Sequence, residues 1–209
     1  MKSKGFIVLI LLVCFVVTPV FANQFFSVST GASISYSQDV TSLESLKAFE
    51  FNKNNFAIGL ELRSNLSFIQ LDAVGEISVL DSDTLKLAGI LSAGCSVELF
   101  DVIKLGLTVG PRIAYIYSNQ VNKANTEEET GEEEATISNG KDFVEAIKEG
   151  PINIRLMLDI YAGPVITVGF AYTIPTEFSI NNGDWEALLP SSSSFEKGKF
   201  SLSLLMKLF

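Results

Sequence analysis

The sequence predicts an all-β chain, an eight-stranded antiparallel up-and-down β-barrel, on three observations. Apolar residues alternate with small or polar ones in eight separate stretches, the period of two expected of a strand with one apolar face. These stretches run to as many as sixteen residues, whereas strands of soluble proteins usually have five or six. The connections between them alternate long or medium with short, so one rim of a meander would carry loops and the other only turns.

The first strand is expected at residues 24–36, with Phe26, Val28, Thr30, Ala32, Ile34 and Tyr36 on one face and serines and Gly31 on the other. A polar connection (37–54) leads to the second, 55–63, where Phe56, Ile58, Leu60 and Leu62 oppose Ala57, Gly59, Glu61 and Arg63. Ser64, Asn65 and Leu66 read as a tight turn. The third strand, 67–79, and the fourth, 84–99, are joined by a short loop. The fifth, 103–117, has the cleanest alternation: Ile103, Leu105, Leu107, Val109, Pro111, Ile113, Tyr115 and Tyr117 share a face. A long insertion (118–150) precedes the sixth strand, 151–162, and Gly163-Pro164 turns into the seventh, 165–174. A serine-rich loop (175–197) leads to the eighth, 198–209. The whole reads as one domain.

The chain begins with Lys2 and Lys4, an apolar run from Phe6 to Val17, and small residues around Ala22. That is the pattern of a secretory signal peptide over residues 1–22, leaving 23–209 as the mature barrel. About twelve apolar residues are too few to cross a bilayer as a helix, and no later apolar run is longer. Only Cys95 would survive cleavage, so stability would not come from an intrachain disulfide. The formal net charge is −9 and would become more negative without Lys2 and Lys4. Such a chain is a poor partner for nucleic acid.

Alternation alone does not say which face lies inside. An eight-stranded barrel has an interior just wide enough for side chains. Here one face is Leu, Ile, Val and Phe, and the other is mostly Ser, Gly, Ala and Thr, so the small face belongs in the confined lumen. The same face carries five acids (Glu61, Asp72, Glu76, Glu98, Asp159) and five bases (Lys86, Arg63, Lys104, Arg112, Arg155). That balance suits a closed interior, where an unpaired charge is costly. With apolar residues outside, the fold class becomes a transmembrane barrel. Tyr36, Phe56, Tyr115, Tyr117 and Tyr172 near the loop side, with Phe25, Phe26, Phe68, Phe100 and Phe209 near the turn side, would form two aromatic girdles.

With its leader, eight strands and terminal Phe209, the chain resembles the small outer-membrane β-barrels of diderm bacteria, of the OmpX and OmpA-transmembrane-domain type. The resemblance implies export to the outer membrane, outer-membrane lipid as a partner, and Phe209 as the assembly signal read by the barrel-assembly machinery. The family pattern also asks for apolar residues two and four positions before the end. Leu205 fits and Lys207 departs.

With no histidine, Ser-His-Asp triads and histidine bases are absent, and no Gly-rich phosphate motif is present. The expectation is no enzyme, no cofactor and no transition-metal site. The insertion at 118–150 holds nine acids against three bases, concentrated in Glu127, Glu128, Glu129, Glu132, Glu133 and Glu134. Clustered carboxylates suit a hard cation or a basic extracellular partner, although a solvated loop explains them as well. Residues 141–149 have the spacing of a short amphipathic helix. The expected role is structural or adhesive at the cell surface. A small channel for ions or solutes and a soluble, exported, lipocalin-like binding barrel are the alternatives.

Overall fold

The computed structural model describes residues 26–37, 55–81, 84–118, 135–136, 147–148, 150–181 and 183–208. The expected signal peptide (1–22), most of the first and third loops, and Phe209 lie outside the described residues. The strands are β1 (Phe26–Ser37), β2 (Phe56–Leu66), β3 (Ile69–Asp81), β4 (Thr84–Leu99), β5 (Ile103–Ser118), the two-residue β6 (Ala135–Thr136), β7 (Pro151–Tyr161), β8 (Ile166–Ser179) and β9 (Lys199–Lys207). The eight long strands pair antiparallel with their neighbours in sequence. β1 then pairs with β9 and closes the sheet, Tyr36 opposite Phe200 and Ala32 opposite Leu204. The chain is a closed, all-antiparallel eight-stranded barrel, with β6 added parallel to β5 at Ile113 and Ala114.

Side-chain parity sorts the two faces. Ser33, Ser35, Glu61, Arg63, Gln70, Asp72, Thr108, Arg155 and Asp159 are buried in the lumen, while Ile58, Leu60, Leu91 and Leu204 of the opposite parity are exposed on the outside. This inverts the usual arrangement, in which charge is outside and aliphatic bulk within.

Three elements differ from the sequence-based expectation. The turn after β2 falls at Ser67-Phe68, not Ser64 to Leu66, and Ser67 takes the left-handed conformation (φ 57°). Ser64 to Leu66 stay in the ladder because Asn65 points inward, donating to Ser27 Oγ at 3.3 Å and accepting from Ser96 Oγ at 3.4 Å. β8 does not stop at Ile174 but runs through Pro175 to Ser179. Pro175 still pairs with Asn153, and the register shift comes after it: the four steps from Pro175 to Ser179 on β8 face only two, Asn153 to Pro151, on β7. The loop expected from 175 therefore begins after Ser179, and it holds a 3-10 turn (Trp185–Leu188) and a short helix, α1 (Ser192–Glu196).

Glycine has a steric reason beside Pro111. The β4–β5 ladder is interrupted between Ile90–Arg112 and Ala93–Val109. There a Cβ on Gly94 would fall 2.0 Å from Leu107 O, and one on Gly110 2.0 Å from Leu91 O. Each strand thus leaves room for the other's backbone. Gly94→Val is expected to lower the unfolding free energy by about 3 kcal/mol, the upper end for overpacking. An unchanged urea midpoint would mean that the close approach is not required.

Candidate functional site

The lumen is built by parity. Glu61 and Arg63 lie two apart on β2, and Arg155 and Asp159 four apart on β7, so each pair shares one face of its strand. Register brings Asp72 of β3 beside Arg63, and Lys104 of β5 beside Asp159. Arg63 hydrogen-bonds the carboxylates of Glu61 and Asp159, and its Nε lies 3.7 Å from Asp72. Arg155 reaches Asp72 at 2.9 Å and Glu61 at 3.2 Å, and Lys104 reaches Asp159 at 3.4 Å. These six groups, three of each sign, form one network that crosses the bore from β2 and β3 to β5 and β7. Arg63 touches all three acids. Gly169 makes space for Ser203 and Asp159, since a Cβ there would meet Ser203 Oγ at 2.4 Å and Asp159 Oδ1 at 3.1 Å.

Four of the other charged residues of the inward face lie apart from this network. Arg112 pairs with Glu76 at 3.1 Å, both of them buried. Glu98 is half-buried near the turn-side end of β4 and accepts from the Tyr161 hydroxyl at 3.4 Å. Lys86 is half-buried near the loop-side end of the same strand. Glu61 and Asp72 therefore share Arg155, while Glu76 has its own base in Arg112. Uncharged groups fill what remains: Gln70 Nε2 contacts Met157 Sδ at 3.2 Å, and Ser92 Oγ and Thr108 Oγ1 lie 2.9 Å apart. The chemical signal for these was available in their parity, but a neutral polar side chain on a serine-rich face does not stand out. Among the described residues no group of acids and cysteine is placed to hold a metal ion.

On the outside, register aligns Phe56, Tyr36, Phe200 and Tyr172 across four adjacent strands. Ring centroids are 5.0 Å apart for Tyr36–Phe56 and 4.4 Å for Tyr172–Phe200. The row below is Ile58, Ile34, Leu202 and Phe170, and a shallow apolar groove of about 660 Å³ follows these two rows. Phe26, Phe68 and Phe100 are exposed at the turn side.

The acidic cluster Glu127, Glu128, Glu129, Glu132, Glu133 and Glu134, like Phe209, lies outside the described residues. Of the helix expected over 141–149, only Ile147 and Lys148 are described, both helical.

No family model and no curated protein matches the sequence. Among solved structures, the chain is similar to Ail, the attachment invasion locus protein of Yersinia pestis, at 11% identity and a TM-score of 0.46, covering 88% of this chain and 97% of Ail. It is similar to Neisserial surface protein A at 11% identity and a TM-score of 0.42, covering 88% and 96%. The structure of the outer membrane protein Ail in a phospholipid bilayer nanodisc is a further match, at 12% identity and a TM-score of 0.41, covering 87% and 99%. The strand pairings themselves define this chain as a closed eight-stranded antiparallel β-barrel, apolar on its outer face and ionic in its lumen.

Proposed function

We propose that this chain is an integral outer-membrane protein of a diderm bacterium, a non-enzymatic β-barrel with a filled lumen that serves a structural or adhesive role at the cell surface. The single observation carrying this reading is the inverted barrel: rows dominated by Leu, Ile, Phe and Val outside, and charges of both signs, Glu61, Arg63, Asp72, Arg155 and Asp159 among them, buried within. In water the outer rows would leave apolar surface exposed at about 25 cal/mol per Å², over an area far beyond the few hundred Å² that soluble monomers tolerate. In lipid the same rows are solvated, and a closed barrel leaves no backbone group unpaired there. The shortest of the eight strands, β9, has nine residues, enough for a tilted strand to cross the hydrocarbon. A soluble lipocalin-like barrel would need the opposite parity.

The ionic network spanning the bore supports a filled lumen over a channel. The acidic insertion at 118–150 offers a surface for a cationic extracellular partner, and Phe209 a handle for the barrel-assembly machinery. The purified barrel refolded into vesicles is expected to migrate differently on gels before and after boiling, and to be electrically silent in planar bilayers. A soluble chain with no mobility shift would overturn the membrane reading. Stable conductance steps would overturn the filled lumen and return the channel.

A further inference from the structure

Above the aromatic row the outer face of β8 changes character. Phe170 is exposed, as expected of a lipid-facing residue, but Ile174, Thr176 and Phe178, which continue the same parity, are buried. Their cover is the segment 183–198, whose 3-10 turn and α1 pack on β8. Phe178 lies against the Trp185 ring with centroids 5.1 Å apart. The segment is tied to the aromatic row itself. The Tyr172 hydroxyl donates to the Phe195 carbonyl, and a Cβ on Gly198 would meet the Tyr172 ring at 2.2 Å, so only glycine lets the chain lie so close. Internal bonds hold the segment in shape: Asp184 Oδ1 accepts from Glu186 N at 3.1 Å, and Ser191 Oγ from Ser194 N at 3.3 Å.

This covering segment has a second apolar side. Trp185 is 70% exposed although one ring face rests on Phe178, and Leu189 and Phe195 are exposed as well. A surface loop in water has no use for three large apolar side chains, but a segment level with an aromatic girdle does. Indole and phenyl rings favour the headgroup–acyl boundary, where one end is apolar and the other wet. Phe195 is tied to Tyr172, which with Phe200 lines the apolar groove along the aromatic row. The charges fit an apolar contact and not an electrostatic one: Asp184, Glu186 and Glu196 outnumber the single base, Lys197.

We infer that residues 183–198 form a lipid seat, a fold-back of the fourth loop that covers the upper outer face of β8 and presses Trp185, Leu189 and Phe195 into the outer-leaflet lipid at the headgroup–acyl boundary. The inference rests on the membrane reading proposed above. Trp185 is the sole tryptophan, so its fluorescence reports this position alone. The full barrel, refolded into phosphatidylcholine vesicles, is expected to show emission at shorter wavelength than the urea-unfolded chain. Its quenching should be stronger by bromines placed near the headgroup end of the acyl chains than by bromines near the terminal methyl. Salt should leave the quenching unchanged, because no ionic attraction contributes. Tyr172→Phe removes the tether to Phe195 and is expected to lower the ratio of seated to unseated segment roughly two- to tenfold, the worth of one hydrogen bond. Heat-modifiable mobility and co-flotation with vesicles are read on the same samples. Failure of those two would sink the membrane reading. Normal insertion with a Trp185 quenched by aqueous iodide and not by brominated lipid would overturn the seat alone, and would leave the patch to a protein partner.

Discussion

Replacing Arg63 with methionine is expected to destabilise the barrel by about 3–5 kcal/mol, the cost of leaving a buried charge without its partner. Arg63 touches Glu61, Asp72 and Asp159, all of them buried, and its removal leaves three acids with only Arg155 and Lys104. The nearby groups have no slack to compensate. Arg155 is already shared between Glu61 and Asp72, and Lys104 is engaged with Asp159. Arg155→Met is expected to lose a comparable amount, and Arg112→Met less, since Arg112 pairs with Glu76 outside the network that joins Arg63 and Arg155. The measurement is the urea midpoint of each variant in vesicles. Removing charges in balance should be milder: a variant in which Arg63, Arg155, Glu61 and Asp72 are all replaced by aliphatic residues of similar volume, leaving only the Lys104–Asp159 pair, is expected to recover most of the loss. If Arg63→Met unfolds at the wild-type midpoint, the network is an accident of packing and contributes nothing to stability.

The substitution Leu60→Arg is expected to cost about 2–4 kcal/mol in a bilayer, the penalty for a charge on the lipid face near the midplane. Leu60 is 71% exposed, and its register neighbours are Ala32 on β1 and Gly75 on β3, so it makes little contact with the protein. In water the same change would fall within about ±0.5 kcal/mol, as for an ordinary surface site. The side chain itself is nearly irrelevant to the fold, so the difference between the two outcomes reads the solvent outside the barrel. A loss confined to vesicles supports lipid as that solvent. No loss in vesicles would put Leu60 outside the membrane.

Both substitutions are legible to different degrees in the chain. Leu60 needs only parity, because it stands two residues from Ile58 and Leu62 on a strand whose other face holds Gly59, Glu61 and Arg63. The same rule places Glu61, Arg63, Asp72, Arg155 and Asp159 on the inward face. It does not say which acid meets which base. Asp72 beside Arg63 follows from a hairpin and was nearly within reach, but Arg63 with Asp159 joins residues ninety-six positions apart across a bore. That contact exists only once β1 and β9 close the sheet and fix every register at once.

The fold-back of residues 183–198 onto β8 is hidden for a related reason. The serines of the expected loop 175–197 look like a polar connection, and Pro175 looks like the end of a strand. The protein keeps the ladder going past that proline with a register shift that adds residues on β8, then uses the additional length of β8 as a platform for Trp185 and α1. Nothing in the local pattern of 175–198 encodes a platform made by another strand. What the sequence by itself determined is the strand set, the inside and outside of each strand, and the charge balance of the lumen, because a period of two is local and reveals itself in neighbouring residues. What only the tertiary structure decided is the hub role of Arg63, the separation of Glu76 from Glu61 and Asp72, and the seat of Trp185 on β8. These depend on closure and stagger of the barrel, which are set by the whole ring of strands and by no single one.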